Sequence, residues 1–86
     1  MSNRLEDLKT TYYETLDYFI NQFNNHKANF EQCKDKNILH KIIQLLESLT
    51  LLERKTLIDE QFEIREVAYK AQGIKNEIKN YIVSLV

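Results

Sequence analysis

Two histidines and one cysteine are the residues of this sequence best suited to bind a transition metal. His26 and Cys33 lie seven residues apart, which places them on one face of a helix, and His40 follows a short polar segment. A structural zinc site needs four ligands at recurring spacings, and no fourth ligand has one here. Neither histidine has a glutamate three residues before it, as di-iron bundles require. We therefore predict no metal site and no cofactor.

Acidic residues between positions 53 and 66 are the candidates for acid–base catalysis: Glu53, Asp59, Glu60, Glu63 and Glu66. Basic residues are interleaved with them: Arg54, Lys55, Arg65 and Lys70. Glu66 and Lys70 have the i,i+4 spacing of an ion pair on a helix, so this mixture is typical of a solvent-exposed face. A glycine-rich phosphate loop and a nucleophile motif are absent from the sequence. We predict that the protein is not an enzyme and has no small-molecule substrate.

Charge and composition argue against several other classes of protein: nucleic-acid-binding, disulfide-rich secreted and membrane proteins. The net charge of −1 gives no electrostatic reason to expect nucleic-acid binding. A single cysteine excludes an internal disulfide framework, and acidic residues among the first twenty positions do not fit a signal peptide. No apolar run reaches the roughly 18 residues of a membrane span. We expect a cytoplasmic protein that does not bind membranes.

The near absence of turn-forming residues predicts an all-α protein. The 86 residues contain no proline and one glycine, and most turns and sheet corners depend on these two residues. Asn3 and Glu6 have the spacing of a capping box, and apolar residues then recur at steps of three and four. These signals predict a long helix over 4–32 within a single helical domain, 1–86. The polar segment 33–37, with Asp35 or Asn37 as a cap, predicts a tight reversal.

The most apolar stretch is 38–52, which has nine Ile or Leu residues in fifteen positions. At helical spacing they form two rows, so a helix here must be covered on more than one side. The first row, which contains Ile43 and Leu46, continues toward the C-terminus, and we expect these two residues in the core. The second row consists of Ile38, Ile42, Leu45, Leu49 and Leu52.

The path of the chain after this stretch has two solutions. Ser48 and Thr50 favour helix starts, and Thr50 and Glu53 have capping-box spacing, which predicts a break near 48–51. We favour this break, which gives a three-helix unit with an apolar helix over 38–49 and a long helix over 51–85. The alternative is an antiparallel hairpin with one unbroken second helix. Ala71 and Gly73 are small enough to permit close approach of a neighbouring helix.

The surplus apolar surface around 38–52 predicts association. One covering helix would leave part of it exposed, so we expect a protein partner or a homodimer that completes a helical bundle. The candidate interface residues combine this stretch with two aromatic residues outside the apolar rows: Leu45, Leu49, Leu52, Phe62 and Tyr69. The predicted function is a non-catalytic protein–protein interaction module, acting as an adaptor, chaperone-like partner, assembly subunit or inhibitor.

The alternative function is a small transcriptional regulator that contacts DNA or the transcription machinery through residues 50–60. A helix–turn–helix would use 38–48 as its first helix and residues 48–50 as its turn, with Arg54, Lys55 and Thr56 near the start of a recognition helix. The acidic neighbours Glu53 and Asp59 weaken this interpretation, because they repel the phosphate backbone.

Overall fold

The computed structural model describes residues 4–85 and contains three α-helices in that range. Helix α1 spans Arg4–Cys33, α2 spans Lys36–Leu57 and α3 spans Phe62–Ser84. The prediction of an all-α helical unit is confirmed, and of its two forms the three-helix unit is correct. The capping box proposed for Asn3 lies outside the described residues.

The first reversal occupies only Lys34 and Asp35. Lys34 has a φ of 56°, in the left-handed region, and its N–H donates to the Phe30 carbonyl at 2.7 Å. The Asp35 carboxylate then accepts from the Asn37 N–H at 2.9 Å and caps α2. The predicted position of this turn is confirmed, and Asp35 rather than Asn37 provides the cap. Because so short a connection forces neighbouring helices to reverse, α1 and α2 are antiparallel.

The second reversal lies at 58–61, so the predicted break near 48–51 is wrong, as is the unbroken second helix. The Thr50 hydroxyl donates to the Leu46 carbonyl at 2.8 Å, which satisfies this side chain inside a continuous helix. The turn forms instead at Asp59, whose carboxylate accepts from the Gln61 N–H at 2.8 Å. Helix α3 therefore runs back antiparallel to α2 and parallel to α1.

The core forms where α3 covers one apolar row of α2. This buried row consists of Ile42, Leu45 and Leu49, with Thr56 buried further along the helix. Five residues of α3 are buried: Ile64, Val67, Ala68, Ala71 and Ile78. The two alanines have no bulk that would hold a neighbouring helix away, and the most extensive helix–helix contact is between α2 and α3.

The other row of α2 is less buried than the sequence predicted. Ile43 is 37% exposed, and Leu46 is half-buried at the edge of the core. The expectation that both residues lie in the core is therefore wrong for Ile43 and only partly correct for Leu46. Both rows have similar side chains, so the sequence does not show which row α1 and α3 cover.

Helix α1 closes the core with Leu16, Phe23 and Phe30, which recur every seven residues. The Phe23 ring meets the Tyr81 ring of α3 edge-on, with 5.7 Å between centroids. The Lys27 ammonium group lies 5.2 Å from the centroid of the same tyrosine. Tyr81 thus joins the C-terminal half of α3 to the middle of α1.

The hydroxyl group of Tyr81 is buried, with no hydrogen-bond partner within the described residues. Burial raises the pKa of this phenol above its ordinary value of 10.0, and the negative charge of Glu31 raises the pKa further. Both effects disfavour the phenolate in the folded state.

We predict that the free energy of unfolding falls as the pH rises above about 10, because the unfolded state then loses the Tyr81 proton before the folded state does. Below that pH the phenol is protonated in both states, so this contribution is fully present. Tyr81→Phe is expected to reduce the loss of stability above about pH 10, as measured by urea unfolding at several pH values. An unchanged pH dependence in Tyr81→Phe would contradict this assignment.

Candidate interaction surface

The residues with metal-binding chemistry do not meet in the structure. His26 is half-buried on α1 and His40 is exposed on α2. Cys33 is exposed, and its thiol donates to the Asn29 carbonyl at 3.1 Å. Among residues 4–85, no group of three or more His, Cys, Asp or Glu side chains has the geometry to hold a metal ion.

The acidic residues are similarly dispersed. Glu53 forms a salt bridge with Lys75 of α3 at 3.3 Å, and both side chains are largely buried there. The pair predicted between Glu66 and Lys70 does not form: the Lys70 ammonium group lies instead over the Tyr13 ring, 4.8 Å from its centroid. Glu53 therefore has a structural role, since it links α2 to α3.

The continuous α2 also removes the predicted helix–turn–helix. Residues 48–50 lie inside a helix, so Arg54 and Lys55 belong to the last turn of α2 rather than to the start of a recognition helix. This position suits their charge, because positive side chains interact favourably with the carbonyl end of a helix. The end of α2 therefore explains why two positively charged residues lie at positions 54 and 55.

The five candidate interface residues divide into two groups. Leu45 and Leu49 are buried in the chain's own core, and Leu52 packs against that core. These side chains offer little surface to a partner because they already contact the neighbouring helices. Phe62 and Tyr69 are 59% and 55% exposed, so they remain accessible, and their role in an interface stays a prediction.

A row of accessible apolar side chains lies beside the buried row of α2. We call Leu39, Ile43 and Leu46 the α2 ridge; Ile43 is exposed and the other two are half-buried. A groove between α1 and α2 is lined from α2 chiefly by polar residues on the opposite flank: Lys41, Gln44 and Ser48. The α2 ridge therefore lies on the flank of α2 that is turned away from α1.

A second accessible feature is a groove between α1 and α3, which we call the α1/α3 groove. It has a volume of about 380 Å³ and is lined by Tyr13, Leu16, Asp17, Ile20, Lys70, Gly73, Ile74 and Glu77. Gly73 is exposed in this groove, and a Cβ atom built on it would meet nothing within 4 Å. The sequence did not predict this groove; the single glycine, Gly73, was the signal that could have indicated it.

No protein-family model matches the chain, and comparisons with curated proteins and with solved structures find no significant match. Within the described residues, each helix is too short or too polar to cross a bilayer.

Proposed function

We propose that this protein is a non-catalytic protein–protein interaction module of the cytoplasm that binds its partner through the α2 ridge. The observation that carries the proposal is that the three-helix packing buries one of the two apolar rows of α2 and covers the other only in part. The row of Ile42, Leu45 and Leu49 is buried, whereas Ile43 in the adjacent row stays exposed.

A row of partly accessible apolar side chains supports docking, because the surface that is still exposed loses contact with water when a partner covers it. The ridge residues are spaced at three and four positions, so a partner helix can lie along them and contact all three. One further apolar residue near the C-terminal end of α2 continues this row: Leu57 is 40% exposed. Adaptors, assembly subunits and inhibitors all act through surfaces of this kind.

The proposal is tested by affinity capture with purified wild-type protein, Ile43→Glu and the matched control Gln44→Glu. Ile43→Glu places a charge on the ridge, whereas Gln44→Glu adds the same charge at the next residue, on the opposite flank. We expect the captured partner to bind wild type and Gln44→Glu equally and Ile43→Glu at least about tenfold more weakly.

Circular dichroism should show equal helicity for the three proteins, because positions 43 and 44 are both exposed. Equal capture by all three proteins would contradict a role for the α2 ridge. The alternative function is a small transcriptional regulator that contacts DNA or the transcription machinery through residues 50–60; its helix–turn–helix form would need a turn at 48–50, where α2 is continuous. Arg54→Ala with Lys55→Ala tests this alternative: loss of a salt-dependent shift of duplex DNA in the double variant would favour it, and no shift with wild type at micromolar protein in low salt would end its DNA form.

A further inference from the structure

We propose that the α1/α3 groove binds a second copy of this chain, as an antiparallel dimer whose two-fold axis passes between Gly73 and Ile74. The inference rests on the proposed function in that it makes self-association part of the interaction. It uses a different surface, however, so the two proposals can fail separately.

The first observation is the open space at Gly73. Glycine in a helix interior costs about 1 kcal/mol relative to alanine, and no contact within the chain requires its small size, because a Cβ atom would meet nothing within 4 Å. The residue lies in the lining of the α1/α3 groove, between Lys70 and Glu77. A second helix can therefore approach the backbone of α3 closely at this point.

The second observation is the placement of charge about Gly73. Lys70 precedes it by three residues and Glu77 follows it by four, and both side chains are exposed in the groove. When two α3 helices lie antiparallel about an axis between Gly73 and Ile74, Lys70 of each copy faces the partner's Glu77. The surface is thus complementary to itself, which a two-fold interface requires.

Helix α1 supports the same axis. Lys70 lies over the Tyr13 ring, so these two residues are level with each other along the parallel helices. The axis lies three and a half residues after Lys70 on α3, and the same step from Tyr13 on α1 falls between Leu16 and Asp17. Tyr13 and Ile20 are therefore at equal distances on either side of the axis. In the dimer, Tyr13 of one copy faces Ile20 of the other, which places apolar groups together on α1 while α3 supplies the ion pairs.

Asp17 opposes association. It lies beside the axis on α1, so the carboxylates of the two copies approach each other and repel. This repulsion limits the affinity, and the apolar contacts and two Lys70–Glu77 pairs must exceed it.

The test measures molecular mass by sedimentation equilibrium over a range of protein concentrations. Wild type is expected to approach twice 10.3 kDa at high concentration. Lys70→Glu alone and Glu77→Lys alone should each weaken the dimer about tenfold or more, because two opposite-charge pairs become two like-charge pairs. An equimolar mixture of the two variants should dimerise again, since every pair across that mixed interface joins opposite charges.

Lys79→Glu is the matched control, because this exposed lysine lies on α3 outside the groove lining. It should dimerise like wild type. The proposal is overturned if wild type stays at 10.3 kDa at every concentration, or if the mixture of the two charge variants remains monomeric.

Ile43→Glu separates this proposal from the previous one. If wild type dimerises and only Ile43→Glu disrupts the dimer, the second copy binds the α2 ridge and the groove assignment is wrong. If the groove variants disrupt the dimer while partner capture does not depend on Ile43, the self-association inference stands and the ridge proposal fails. A third outcome is that a different protein binds in the groove. Both charge variants would then weaken the binding of that protein, while purified wild type would stay monomeric, and this result also overturns the homodimer.

Discussion

Leu49→Ala is expected to lower the free energy of unfolding by about 2–5 kcal/mol, measured by urea denaturation. Leu49 is fully buried between the helices, so truncation removes apolar contacts and leaves a cavity. Small domains have only about 5–15 kcal/mol of stability, so this one change removes a large share of it.

Leu51→Ala is the matched control because it makes the same chemical change two residues away on the same helix. The Leu51 side chain is 67% exposed, so we expect the free energy of unfolding to fall by no more than about 0.5 kcal/mol. If Leu49→Ala and Leu51→Ala unfold at the same urea concentration, the buried row of α2 is assigned incorrectly. The comparison uses only purified protein and does not depend on any partner.

Leu51→Pro is expected to cost about 3 kcal/mol or more, because proline removes a backbone hydrogen bond inside α2 and clashes with the preceding turn. The exposed side chain contributes little to the loss, which Leu51→Ala measures separately. Far-ultraviolet circular dichroism and urea denaturation together would show both the lost helicity and the lost stability.

Phe62→Pro is the contrasting variant. Phe62 is the first residue of α3, where proline is well tolerated, and the preceding Gln61 has φ −86° and ψ 123°, the extended conformation that a residue before proline prefers. We expect this variant to retain its helicity and to lose much less stability than Leu51→Pro. The reverse order of stabilities would place the break near 48–51 after all.

The position of that break shows where sequence reasoning stopped being sufficient. Thr50 has a side chain that can cap a helix or bond to the carbonyl four residues earlier, and its sequence neighbourhood suits both. The structure selects the second option, with a bond to Leu46 at 2.8 Å. Asp59 has no such second option, because a carboxylate accepts hydrogen bonds and does not donate them; it accepts from the Gln61 N–H and forms the turn.

The all-α class and the first turn were predictable because they depend on local signals. The lack of proline, the apolar spacing and the polar segment around Asp35 each act within a few residues. Burial of one α2 row and exposure of the other depends on where α1 and α3 pack, which is a long-range property. Ile42 and Ile43 are adjacent and identical in type, yet one is fully buried and the other is 37% exposed.

The candidate surfaces were less predictable for the same reason. Phe62 and Tyr69 were chosen as off-row aromatic residues and are exposed, but Leu45 and Leu49 were chosen for their apolar character and lie in the core. The α1/α3 groove involves residues more than fifty positions apart in sequence, such as Tyr13 and Lys70. Only the tertiary structure brings such residues to one surface.

The reliance of α2 on α3 for cover has a consequence during biosynthesis. Helices α1 and α2 leave the ribosome first, and the most extensive cover of Ile42 and Leu49 comes from the helix made last. At roughly 5–20 residues per second, the 23 residues of α3 take on the order of a few seconds to synthesise. Until α3 has been made and has packed against α2, the apolar row that contains Ile42 and Leu49 lacks its most extensive cover, so the core closes only after translation has passed Ile78.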